Sequence, residues 1–203
     1  MSSDPPRTTR RPRIDGERNR AALLAAAHQA LVGEGADVSL ERIARAAKVG
    51  IGTLYRHFPT RNALIEAVYR QEIDTLVAAA FEIAKTGAPR EGLRAWLRMF
   101  VDFLETKREI AGVLDTLIGG SEPLYSKTPT LLSPAIDILV RRLEVAEGTS
   151  VPISPLDLLR GIVGVATVRQ GQNWKEQTYA FVDVMLSGLF VHQPAEREPR
   201  GEV

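Results

Sequence analysis

The stretch VGIGTLYRHFPTRNALI, residues Val49 to Ile65, decides how the chain is read. As a helix it puts Ile51, Leu54, Tyr55 and Phe58 at i, i+3, i+4 and i+7, a single apolar stripe, and leaves Gly52, Thr53, Arg56 and His57 off it. One face is expected to pack and the other to reach outward. Pro59 stops that helix, Thr60 can cap the next, and Arg61 stands in the next helix's first turn.

Upstream, Ser39 to Ala47 reads as a second short helix with Leu40, Ile43, Ala44 and Ala47 on its apolar side. Two short helices joined by Lys48, Val49 and Gly50 predict a helix-turn-helix, whose second member enters the major groove of DNA. Small, hydroxyl, aromatic and cationic groups along an outer helix face suit such a groove better than they suit water.

The run ERIARAAKVGIGTLYRHFPTRNALI resembles the DNA-binding motif of the TetR family of bacterial transcriptional regulators, in which a Tyr-x-His-Phe run precedes a Pro and a cation. Tyr55, His57, Phe58, Pro59 and Arg61 match it, and the likeness covers about residues 20 to 66. The sequence departs from the family pattern twice. Lys48 stands where a turn Gly is usual, and Gly50 stands where a Ser or Thr often caps the recognition helix.

The chain has 203 residues, 44% of them hydrophobic, enough for one large or two small domains with a real core. Its formal net charge of +1 hides an asymmetry: residues 1 to 61 hold 11 Lys/Arg against 6 Asp/Glu, and the remainder holds 15 against 19. The basic excess therefore sits with the helix-turn-helix, where phosphate contacts are needed. The absence of Cys agrees with a reducing cytoplasm. No run approaches the 18 or so apolar residues that cross a bilayer, so neither a membrane partner nor a secretory segment is expected.

Residues 1–14 hold three Pro and four Arg and read as a disordered basic arm that attracts DNA non-specifically. The DNA-binding domain is expected over 15–62, opening with a helix capped by Asp15 and ended by Gly33 and Gly35. His28 reads as a histidine near its surface. A long helix from Thr60 to Thr86 begins a second domain over 63–192. It is followed by helices over about Arg90–Thr106, Arg108–Ile118, Leu131–Ala146, 154–170 and 174–190, with a polar tail from residue 193. Ser154, Pro155 and Asp157 form a strong helix start, and Gly161, Gly164 and Ala166 leave little bulk on the helix that follows.

LRAWLRMFVDFLETKREIA and the helices after it resemble the carboxy-terminal domain of an SbtR-like branch of the same family. The resemblance implies an all-α protein: an amino-terminal three-helix helix-turn-helix domain, then a helical-bundle ligand-binding and dimerisation domain. It also implies a homodimer whose last two long helices, about 154–190, form a four-helix bundle with those of the second subunit.

The leading expectation is a ligand-responsive regulator, a repressor, acting as a homodimer on a palindromic operator in double-stranded DNA. Gly52 and Thr53 are expected at base edges or the thymine methyl. Ser39, Lys48, Tyr55, His57 and Arg61 would hold phosphates, with Gly50 and Arg56 completing the surface, and for Tyr55 internal packing stands as an equal reading. An unknown small-molecule effector would lie among Trp96, Phe100, Phe103, Leu114, Leu117, Ile162 and Val165. Asp102, Asp115, Tyr125 or Arg169 would be its polar anchors, although ordinary core is the readier account of the apolar set and a surface or interface role that of Arg169 and the acids. The sequence holds no Gly-x-Ser-x-Gly, no phosphate loop with Lys and no His-rich metal spacing, so neither an enzyme nor a cofactor is expected. The alternative is a helical ligand carrier or protein-interaction module with only non-specific DNA binding.

Overall fold

The computed structural model describes residues 11–35, 37–114, 127–148, 150–168 and 171–189, without the side chains of 11–14 and 112–114. These residues form eight helices and no strand: α1 Arg11–Glu34, α2 Leu40–Ala46, α3 Ile51–His57, α4 Arg61–Lys85, α5 Pro89–Leu114, α6 Thr128–Glu147, α7 Pro155–Val168 and α8 Trp174–Gly188. Candidate residues Asp115, Leu117, Tyr125 and Arg169, and the segments 1–10 and 190–203, lie outside the described residues, as does the side chain of Leu114.

Capping chemistry sets most boundaries. Ser39 Oγ accepts from Arg42 N at 3.2 Å and Thr60 Oγ1 accepts from Ala63 N at 3.0 Å, each satisfying a free donor in a helix's first turn. Ser154 Oγ accepts from Asp157 N at 3.2 Å and donates to its carboxylate at 2.8 Å. The Arg160 guanidinium and then the Ser154 hydroxyl, both bonded to it, hold the Asp157 carboxyl below its ordinary range. Gly35, at φ 79°, closes α1 by donating to the Leu31 carbonyl at 2.9 Å.

Three boundaries differ from expectation. The first helix begins at Arg11, so Asp15 lies one turn inside it; Pro12, at its second position, has no N–H to leave unbonded there. Helix α6, expected from Leu131, begins at Thr128, with Pro129 in its first turn. The helices expected over Arg90–Thr106 and Arg108–Ile118 are one continuous α5. Thr106 is buried and its hydroxyl is 3.3 Å from His28 Nε2 on α1, and buried Ile110 carries the inner stripe onward. A polar run that reads as a break is instead part of a helix–helix contact.

The core is continuous from the first domain to the second, from Leu23, Leu31 and Leu54 through Leu64, Val68 and Leu76 to Trp96, Ile136, Ile162 and Leu186. Helix α4 carries buried residues from Leu64 to Ala80 and packs along α1, α5 and α6. Trp96 Nε1 donates to the Leu76 carbonyl at 2.8 Å, and Arg142 of α6 donates to the carbonyls of Ile83, Thr86 and Gly87 at the end of α4, at 3.0 to 3.2 Å. A polar seam binds α5 to α8 in antiparallel order. Arg94 and Arg98 meet Asp183, Asp102 meets Tyr179 and Lys175, Glu105 meets Lys175 at 2.7 Å, and Arg108 lies 4.5 Å over the Trp174 ring.

Candidate nucleic-acid interface

The α2–α3 unit is braced from three sides. Glu34, at the end of α1, pairs with Arg42 at 2.5 Å; Arg20 of α1 lies 5.5 Å over the Phe58 ring; and both terminal nitrogens of Arg61 donate to the Val38 carbonyl ahead of α2, Nη1 at 2.6 Å. The Arg61 guanidinium thereby ties the start of α4 to the α1–α2 loop, a duty the sequence did not disclose.

Between α2 and α3 the backbone turns at Lys48, whose φ of 58° makes it the one non-glycine with a positive φ among the described residues. Its N–H donates to Arg45 O at 3.0 Å, while Val49 N reaches Ala44 O at the same distance. The fold thus places a β-carbon where glycine is favoured, and the Lys48 side chain is exposed at the edge of the cleft between α1 and α2. Gly50 is the N-cap of α3 with extended backbone and no side-chain cap bond.

Leu54 and Phe58 anchor α3 in the core at 0% and 3% exposure. Contrary to the single stripe expected, Ile51 is 37% and Tyr55 46% exposed. A helix of two turns needs only the i, i+4 pair to seat it, so Ile51 and Tyr55 fall on its flanks. Tyr55 is thus half open to solvent rather than part of the core. Gly52 and Arg56 are exposed too, Thr53 and His57 are half-buried, and Ser39 is exposed at the head of α2. A Cβ added at Gly50 or Gly52 meets nothing within 4 Å. The face therefore carries Ile51, Gly52 and Thr53 in its first turn and the basic residues Arg56 and His57 in its last.

The residues expected around an effector lie elsewhere, in the second domain. Trp96, Phe100, Phe103 and Ile162 are buried, and Val165 is half-buried. Trp96 and Phe100 stack with ring centres 6.2 Å apart, and Phe103 lies 6.0 Å from Phe100 and 5.4 Å from Tyr69. Burial pushes the Tyr69 hydroxyl up to about 12 against the opposing pull of its 2.8 Å hydrogen bond to Thr128. Asp102 is engaged by the seam with α8. There burial pulls Lys175 down, yet its bonds to Asp102 and Glu105 outweigh that and leave it raised, while burial and Asp102 push Tyr179 up to about 12. Two open clefts flank α1. One of about 500 Å³ runs between its alanine-lined face and α2, and one of about 370 Å³ runs along α4 by His28 and Glu72.

Comparison with known proteins decides the family. The profile described as "Bacterial regulatory proteins, tetR family" matches residues 23–68, which span the braced helices. The TetR transcriptional regulator SCO0520 from Streptomyces coelicolor is similar over the whole architecture: 37% identity, 84% of this chain and 97% of that one, TM-score 0.74. The chain belongs to the TetR family. A TetR transcription regulatory protein from Mycobacterium vanbaalenii is similar at 26% identity, covering 88% of this chain and 98% of that one, with TM-score 0.68. The HTH-type transcriptional activator FasR of Mycolicibacterium smegmatis is 33% identical over 95 residues, 46% of this chain. That match spans 43% of FasR, less than half the length of this curated relative. The TetR assignment accounts for the all-helical fold and the helix-turn-helix together, and no helix among the described residues is long and apolar enough to cross a membrane.

Proposed function

We propose that this TetR-family protein is a homodimeric repressor that binds a two-fold-symmetric operator and releases it when a small molecule occupies the second domain. The observation that carries the DNA-binding part is the outer face of α3, on which Ile51, Gly52, Tyr55 and Arg56 are exposed while Leu54 and Phe58 hold the helix rigidly from behind. Such a helix is held for contact by one face only, and two of them related by a dyad fit successive major-groove faces. Gly52 lets the backbone approach a base edge, Thr53 offers a hydroxyl and a methyl, and Ser39, Lys48, Tyr55, Arg56 and His57 meet phosphates around it. Arg61 contributes chiefly by fixing α4 to the loop before α2. Occupying an operator is enough to repress, and it needs nothing beyond these two domains.

Dimerisation through about 154–190 is supported by exposed Ile153, Val168 and Val184 on or beside α7 and α8, and by Gly161, Gly164 and Gly188, whose missing side chains leave open space. For the effector, the Trp96–Phe100–Phe103 ladder is the apolar wall, and a ligand seated there parts α5 from α4. Because α4 runs on into the DNA-binding domain, and His28 and Thr106 join α1 to α5, the same displacement shifts α3. Release then equals the ligand's difference in affinity between the two arrangements.

Selection of duplexes from a random pool by the purified full-length protein tests the reading. A palindromic consensus bound about a thousandfold more tightly than random DNA is expected. Enrichment of nothing, with affinity that collapses uniformly as salt rises, would instead establish a helical carrier whose basic end merely attracts phosphates.

A further inference from the structure

Among the groups α3 turns outward, Ile51 is out of keeping with a water-facing surface. It is a branched alkyl group at the first position of the helix, 37% exposed, while the two apolar residues that seat the helix, Leu54 and Phe58, are almost wholly covered. Its neighbours Gly50 and Gly52 have no side chains, and space is open around the positions where their β-carbons would stand. The helix end beside Ile51 is therefore uncrowded at both glycines, and 37% of the Ile51 surface is open to solvent.

The rest of that first turn is Gly52 and Thr53, with no amide, carboxylate or cation. The bidentate pairs that mark guanine and adenine need Arg, Lys, Asn or Gln; Lys48 stands in the turn before the helix, and Arg56 sits more than a turn further on. What a protruding alkyl group can recognise on a base edge is another alkyl group. In the major groove of unmodified DNA only thymine presents one, the C5-methyl. We propose that Ile51 of each subunit reads a thymine C5-methyl, making Ile51 a specificity-determining residue and requiring a T·A pair at one position of each operator half-site. The proposal rests on the operator-binding reading above and adds to it the base that is read and the atom by which it is read.

The test removes that atom alone. Duplexes are selected with the wild-type protein and with Ile51→Ala, and the half-site thymine at which the variant's preference relaxes is replaced by uracil, which differs from thymine only in lacking the methyl group. Affinity of the full-length dimer is then measured for all four combinations of protein and duplex, with Ile51→Val as a second variant that keeps a branched alkyl group. Losing burial of one methyl predicts about a fourfold weakening of wild-type binding for one substituted half-site and about fifteenfold for two, with no change for Ile51→Ala and a smaller change for Ile51→Val. Equal wild-type affinity for the uracil and thymine duplexes overturns the inference. So does an equal loss in wild type and Ile51→Ala, which assigns the methyl to another group such as Thr53, and so does a consensus that relaxes nowhere in Ile51→Ala. If the wild-type protein enriches no sequence at all, the operator-binding reading itself fails and takes this one with it.

Discussion

At the scale of single residues, Lys48 concentrates the tension between folding and binding. Its left-handed backbone costs about 1 kcal/mol relative to glycine, and its exposed side chain is the one proposed above to meet a phosphate. Lys48→Gly is expected to raise the thermal midpoint by about 2 to 4 °C. The same change should weaken operator binding and lower the slope of log K against log salt by about one per subunit. Thermal melts and titrations at several salt concentrations check both halves, and a variant that gains stability with an unchanged salt slope would remove Lys48 from the phosphate set. The turn at Lys48 was legible in the sequence because spacing between two short apolar stripes locates it. The outward placement of Ile51 was not, since two helical turns give periodicity too few repeats to separate an anchor from a flank. Nor was the Arg61 bond to Val38, made between residues 23 apart through a backbone carbonyl that no side-chain pattern reports.

At the scale of elements, local chemistry and long-range contacts divide what could be read. Ser39, Thr60 and Ser154 announce the starts of α2, α4 and α7 through bonds made within three residues. The continuity of α5 was hidden, because what makes Thr106 a buried residue rather than a helix end is His28, 78 positions away. The α5–α8 seam was hidden for the same reason, and Asp102, read from the sequence as an anchor for an effector or a surface acid, belongs to it. The tyrosines of these contacts predict an alkaline weakness. Tyr69 and Tyr179 are each raised to about 12 in the fold, against about 10 in an unfolded chain, so between those values the folded state holds more protons. Their contribution is fully present below pH 10 and is lost as pH rises from about 10 toward 12. Lys175, also raised, acts with the same sign above its unfolded value. Denaturant midpoints should therefore fall across that window. Tyr69→Phe should cost about 1 kcal/mol at pH 7, through the lost bond to Thr128, and should flatten the alkaline decline. An unaltered decline in that variant would assign it to other groups.

At the scale of the whole molecule, α4 is the shared part: it is capped in the DNA-binding domain by Thr60, carries Trp96 on its Leu76 carbonyl, and is closed at its far end by Arg142. Its length and apolar repeat were readable from the sequence. Its closure by α6 required the fold. The central claim is that two such chains hold two copies of α3 in one fixed relation. The measurement that tests it most directly is the affinity of the protein for its selected operator beside the same duplex with five extra base pairs inserted at the dyad. Half a helical turn rotates one half-site to the opposite face, so a rigid dimer should bind the lengthened duplex at least about a hundredfold more weakly. Equal affinity for the two duplexes would contradict the account, because each recognition helix would then be reading DNA on its own.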